Sequence, residues 1–105
     1  MKREKSSGNI FADFGLENAE ELQLRSDLAC VILKIQKNRK ITQQQLAEIL
    51  GTQQSEISAL NCGDMERFTI GRLFKFLRRL GRDIEVGVKR TDDSNEIGQV
   101  SFTGV

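Results

Sequence analysis

The sequence contains no histidine, proline, tryptophan or tyrosine, and its 105 residues include only two cysteines. Each absence removes a class of chemistry. Without histidine there is no imidazole to move protons near neutral pH, nor one to join a thiolate around zinc. Cys30 and Cys62 lie far apart with no metal-ligand spacing, so both are read as free thiols in a reducing compartment. A glycine-rich phosphate loop is also missing. The chain is therefore not expected to be an enzyme, and no metal or cofactor is expected. No apolar run approaches the ~18 residues that cross a bilayer. The opening MKREKSSGN is charged and polar and does not resemble a secretory leader. A cytoplasmic location without membrane contact is the expectation. Six phenylalanines are the only aromatic anchors.

What is present is distributed unevenly. The net charge of +1 conceals a basic centre between acidic ends. Residues 1–33 carry four Lys/Arg against six Asp/Glu, residues 34–82 ten against four, and residues 83–105 two against five. Such segregation suits a surface that faces a polyanion, although a solvated surface gives the same count. Apolar residues make up 38%, enough for one modest core and one small domain.

Residues 1–17 read as a polar tail followed by the arm NIFADFGLE, with apolar points at Ile10, Phe11, Phe14 and Leu16. Asn18 and Glu21 have the spacing of a capping box. Leu24, Leu28, Val31, Ile32 and Ile35 then recur at helical spacing to about residue 38. Thr42 and Gln45 repeat the capping signal before a second helix, with Leu46, Ala47, Ile49 and Leu50 inward and Gly51 as its stop. A third helix over residues 53–61 places Ile57 and Leu60 inward. Gln53 stands at its cap position, with Thr52 as the alternative cap. After the turn GDMERF, Thr69 caps a fourth helix with Ile70, Leu73, Phe74, Leu77 and Leu80 facing the core. The pattern then switches to period two: Ile84, Val86 and Val88 alternate in IEVGVKR, which predicts a strand over residues 83–90. Residues 91–105 form a tail or a second strand.

The segment LAEILGTQQSEISALNCG carries the functional signal. Ala47 is small, Gly51 follows four residues later, Ile57 six beyond it and Leu60 three beyond that. These spacings let two short helices cross steeply over one small core. The predicted fold is mainly α, a bundle of four to five helices with a helix-turn-helix over residues 18–82 and a C-terminal strand.

ITQQQLAEILGTQQSEISALNCG resembles the helix-turn-helix of the phage-repressor or Xre-like superfamily, whose fold is lambda-repressor-like. The NIFADFGL arm, the FT before the fourth helix and the LGRDIEV exit resemble, more narrowly, the HigA-type antitoxins. The resemblance implies a sequence-specific DNA-binding repressor whose third helix enters the major groove. Carried over, the base-reading residues are Gln53, Gln54, Ser55, Ser58 and Ala59. Their chemistry suits the role. A glutamine amide matches adenine N6 and N7, serine serves any base, and alanine can touch a thymine methyl. Gln43 resembles the phosphate-binding glutamine of the family, with Thr42, Thr52, Lys40 and Asn61 as further phosphate contacts. Glu56 is the acidic exception, free to accept from cytosine N4 or to point away. Arg72, Lys75, Arg78 and Arg79 could face water, DNA or an acidic partner.

A lone strand needs a partner, either the chain's own tail or a second copy. In an antiparallel pairing centred on Gly87, Glu85 opposes Lys89 of the partner subunit, and Val86 opposes Val88 of the partner subunit. Ile84, Glu85, Val86, Val88 and Lys89 are thus the candidate dimer strand, and a homodimer would read a palindromic operator in double-stranded DNA. The resemblance further implies neutralisation of a RelE-like toxin and autoregulation of the operon that encodes the pair. Glu17, Glu20, Glu21 and Asp27 are then candidate acidic contacts, or simply a solvated face. The alternative function is a protein-interaction module of the same fold that neutralises or scaffolds a partner without reading DNA.

Overall fold

The computed structural model describes residues 18–91 and 98–103. These hold four α-helices and one short 3-10 turn: α1 (Asn18–Arg39), α2 (Gln43–Leu50), α3 (Gln54–Asn61), the turn Met65–Arg67, and α4 (Ile70–Arg79). The arm with Ile10, Phe11, Phe14 and Leu16, together with Glu17, lies outside the described residues, as do residues 92–97 and 104–105.

Each helix sends one aliphatic side chain to complete burial: Ile32, Leu46, Ile57 and Leu73 are all 0% exposed. One core therefore holds all four helices. The longest helix, α1, supplies its floor with Leu28, Ala29, Ile32 and Ile35, α4 lies along it, and α2 and α3 pack on each other above. Phe68 and Phe76 close the side beneath α3, edge to face with ring centres 6.2 Å apart.

Local chemistry sets the helix ends. At the end of α1, Lys40 takes a left-handed conformation (φ 56°), and the Ile41 N–H donates to the Gln36 carbonyl at 3.3 Å. Thr42 then opens α2 with a complete capping box. The Gln45 N–H donates to Thr42 Oγ1 at 3.0 Å, and the Thr42 N–H donates to Gln45 Oε1 at 2.8 Å. Thr69 caps α4 by accepting from the Arg72 N–H at 3.1 Å. Two arginines donate to backbone carbonyls of distant segments, one of them at the end of α4, where the last carbonyls lack intrahelical donors. Arg39 Nη2 donates to the Leu80 carbonyl at 2.8 Å, and Arg25 Nη1 donates to the Met65 carbonyl at 3.0 Å.

Two expectations are corrected. Residues 83–91 form no strand, and neither do residues 98–103. Alternation at period two fixes which side chains share a face, but a strand exists only where its N–H and C=O groups meet a second edge. Among the described residues no such edge is offered. Ile84 folds onto the core, whereas Val86 and Val88 remain 78% and 95% exposed. The returning tail brings Gly98 beside Thr91 and packs Phe102 against the core without pairing. Glu21, read as part of an acidic contact surface, is buried, and its carboxylate meets Arg25 Nη2 at 2.6 Å. A carboxylate this enclosed needs its cation within reach, and Arg25 one turn along supplies it.

Candidate nucleic-acid interface

The geometry of α3 is imposed by α2. Ala47 is buried where the two helices cross, and Gly51 adopts φ 71° so that the chain can turn back sharply. The Thr52 N–H donates to the Ala47 carbonyl at 2.9 Å, which seals the end of α2. Three residues after Gly51, α3 begins with Ile57 and Leu60 directed into the core. At about 100° per residue, that inward pair forces Ser55, Ser58, Ala59 and Cys62 onto the opposite face.

This face is the floor of a shallow surface groove lined by Ser55, Ser58, Ala59, Cys62, Asp64 and Arg67. Three of the five expected base-reading residues thus share one surface. Gln53 and Gln54 stand exposed at its N-terminal mouth. Gln53 occupies the cap position of α3, and its side chain makes no capping hydrogen bond. Thr52, the alternative cap, is half-buried in the turn and takes no cap role. Both glutamine amides are therefore presented outward, next to the positive end of the helix dipole.

The expected phosphate residues fall into two groups. Lys40, Thr42 and Gln43 gather at the start of α2, where the first N–H groups lack intrahelical acceptors. The Thr42 oxygen accepts the capping bond, and its hydroxyl proton remains available as a donor. Thr52 and Asn61 lie apart from that cluster. Asn61 sits at the C-terminal end of α3 and turns its amide inward, donating to the Ile57 carbonyl at 3.0 Å.

Glu56 does not face the groove as a free carboxylate. Arg72 Nη1 of α4 approaches Glu56 Oε1 to 2.9 Å, in an ion pair that lacks the alignment of a directed hydrogen bond. The same guanidinium lies 5.3 Å from the Phe68 ring centre and 5.2 Å from that of Phe76. Arg67 Nη1 stands farther off, 3.9 Å from Glu56 Oε2, with its Nε 3.5 Å from Asp64 Oδ2. The Arg79 guanidinium lies 3.4 Å from where a Cβ on Gly51 would stand. Lys75 and Arg78 are exposed.

Sequence reading missed Cys62, Asp64 and Arg67 as the lining of this groove, and left open whether Arg72 faces water, DNA or an acidic partner. Cys62 was legible, because it is seven residues beyond Ser55 and so on the same stripe. Arg67 and Arg72 reach α3 only through the 3-10 turn and the packing of α4, which no spacing rule encodes.

A profile of the family described as Helix-turn-helix domain matches residues 10–89. None of the curated proteins matches the chain. A solved structure assigned as an XRE family transcriptional regulator is similar over 85% of this chain and 100% of its own, at 27% identity and a TM-score of 0.79. No helix among the described residues is long and apolar enough to cross a membrane. With the profile spanning most of its length, the chain belongs to the helix-turn-helix domain family.

Proposed function

We propose that this protein is a sequence-specific DNA-binding transcriptional repressor that inserts α3 into the major groove. The observation that carries the reading is the division of α3 into two faces. Ile57 and Leu60 are fully enclosed, whereas Gln53, Gln54, Ser55 and Ser58 are exposed and bear uncommitted donors and acceptors. Their amides and hydroxyls have the pairing capacity of base edges in the major groove, and Ala59 adds an apolar point. Lys40, Thr42 and Gln43 at the start of α2 have the composition of a phosphate seat, with Thr52 and Asn61 as outlying contacts. The similarity to an XRE family transcriptional regulator supports the same reading.

Selection of binding sites from a random duplex library tests it. Wild-type protein enriches a preferred sequence. Gln54→Ala weakens binding to that sequence by about 1–3 kcal/mol and relaxes one base position. Equal losses on selected and random DNA would show that Gln54 does not read sequence. Enrichment of nothing would leave the interaction-module function in its place.

Two finer assignments extend the proposal. The protein acts as a homodimer on a palindromic operator. Support comes from Val86 and Val88, which remain exposed in a segment whose opposing charges would match across a two-fold axis. Residues 84–89 would then pair only across that axis, a partner edge the single chain does not offer. The protein is also the antitoxin of a HigBA/RelE-like pair, a reading supported by the HigA-like arm, FT and LGRDIEV segments. Glu20 is half-buried and Asp27 accepts from Gln23 Nε2 at 2.9 Å, which narrows the acidic surface available to a toxin. A basic open reading frame of about one domain's length beside the gene, whose product co-purifies with this chain, tests the assignment. A neighbouring frame whose product does not bind overturns it.

A further inference from the structure

We propose that Arg67 is a DNA-backbone contact held in reserve by Asp64 and Glu56, exchanging those carboxylates for a phosphate when α3 enters the groove. The proposal rests on the DNA-binding reading above and adds a residue and a switch to it.

Four observations converge. Arg67 lines the same groove as Ser55, Ser58 and Ala59, so a duplex seated on that face brings its backbone to the rim where Arg67 stands. Its side chain is 48% exposed and free to swing. Its carboxylate partners are loose, at 3.5 Å and 3.9 Å, whereas the Arg72–Glu56 pair is close at 2.9 Å. Removing Arg67 from the cluster therefore leaves Glu56 paired. Exposed pairs at such distances contribute little, whereas a guanidinium can grip a phosphate through two parallel hydrogen bonds and release a condensed counterion. Exchange is thus favoured on a polyanion and disfavoured in water. In the free protein the two carboxylates also cancel Arg67's charge, which lowers attraction to unrelated anions.

Anisotropy titrations of a labelled random-sequence duplex of about two helical turns, across a series of potassium chloride concentrations, test the proposal. Arg67→Gln lowers the slope of log affinity against log salt by about 0.9 and weakens binding on the order of 8-fold near 0.1 M salt. Arg67→Lys retains the slope. Asp64→Asn strengthens binding, and this gain shrinks when Arg67→Gln is also present, because part of it acts through Arg67. Thermal unfolding of each variant confirms that the fold is intact. An unchanged slope in folded Arg67→Gln overturns the contact. An equal Asp64→Asn gain in both backgrounds overturns the exchange. Either result leaves the DNA-binding reading standing if Gln54→Ala still relaxes a base position. Wild-type protein with no salt-dependent duplex binding overturns both.

Discussion

Arg72 and Glu56 join α4 to α3 through an ion pair of 2.9 Å, with the guanidinium laid over Phe68 and Phe76. The only carboxylate in α3 is therefore tied to the body of the protein beside the groove-facing stripe. Arg72→Ala is expected to lower stability by about 1–2 kcal/mol. The aromatic contacts account for about 0.5–1 kcal/mol of this, and the part-exposed pair for the rest. Glu56→Gln removes only the pair and should cost less. Urea midpoints compare the two, and equal losses would mean that the stacking contributes nothing.

Two glycines respond in opposite directions to the same change. Gly51 holds φ 71° in the turn between α2 and α3, so Gly51→Ala forces an alanine into the left-handed region at a cost of about 1–2 kcal/mol. Gly71 lies within α4, and an added Cβ would meet nothing closer than Thr69 Oγ1 at 3.9 Å. Gly71→Ala should therefore raise stability by about 0.5–1 kcal/mol. Differential scanning calorimetry should move Tm down for the first and up for the second. A shared direction would refute the conformational explanation.

Adjacent residues on α3 should separate folding from recognition. Ile57→Ala opens a cavity in a site with no exposure and is expected to cost about 2–5 kcal/mol. Ser58→Ala lies on the exposed face and should stay within about 0.5 kcal/mol of wild type. It should still weaken binding to the selected sequence. Denaturation and duplex titration of both variants check the contrast, and a Ser58→Ala that unfolds early would place that side chain in the core instead.

Association through residues 84–89 makes a charge prediction. Glu85→Lys would set like charges against Lys89 of the partner subunit at two symmetric positions, reversing cross-strand pairs that contribute about 0.2–1 kcal/mol each. Sedimentation should show the dimer dissociating at lower protein dilution than wild type. Adding Lys89→Glu to Glu85→Lys should restore it. A dimer indifferent to both changes would have a different interface.

The helices were legible because their signals are local. Thr42 and Gln45 cap one another across a single turn, Thr69 caps its own helix, and Gly51 stands where α2 must stop. The outward stripe of α3 followed from the inward pair Ile57 and Leu60, since helical geometry fixes one face once the other is known. Met65, Phe68 and Phe76 went unread as core because a short polar turn masks the first two and an arginine-rich helix the third. The strand was misjudged for a different reason. Residues 84–90 carry the alternation of a strand but no edge to complete it within the chain.

Where the helices start and stop, and which groups α3 turns outward, follow from local signals, because capping and periodicity operate within one or two turns. The surroundings of those groups were set instead by how the helices pack in three dimensions. That packing brought Arg72 to Glu56 and Arg67 to the rim of the groove, across separations of 16 and 11 residues, because side chains that meet through packing carry no mark of the meeting in their spacing.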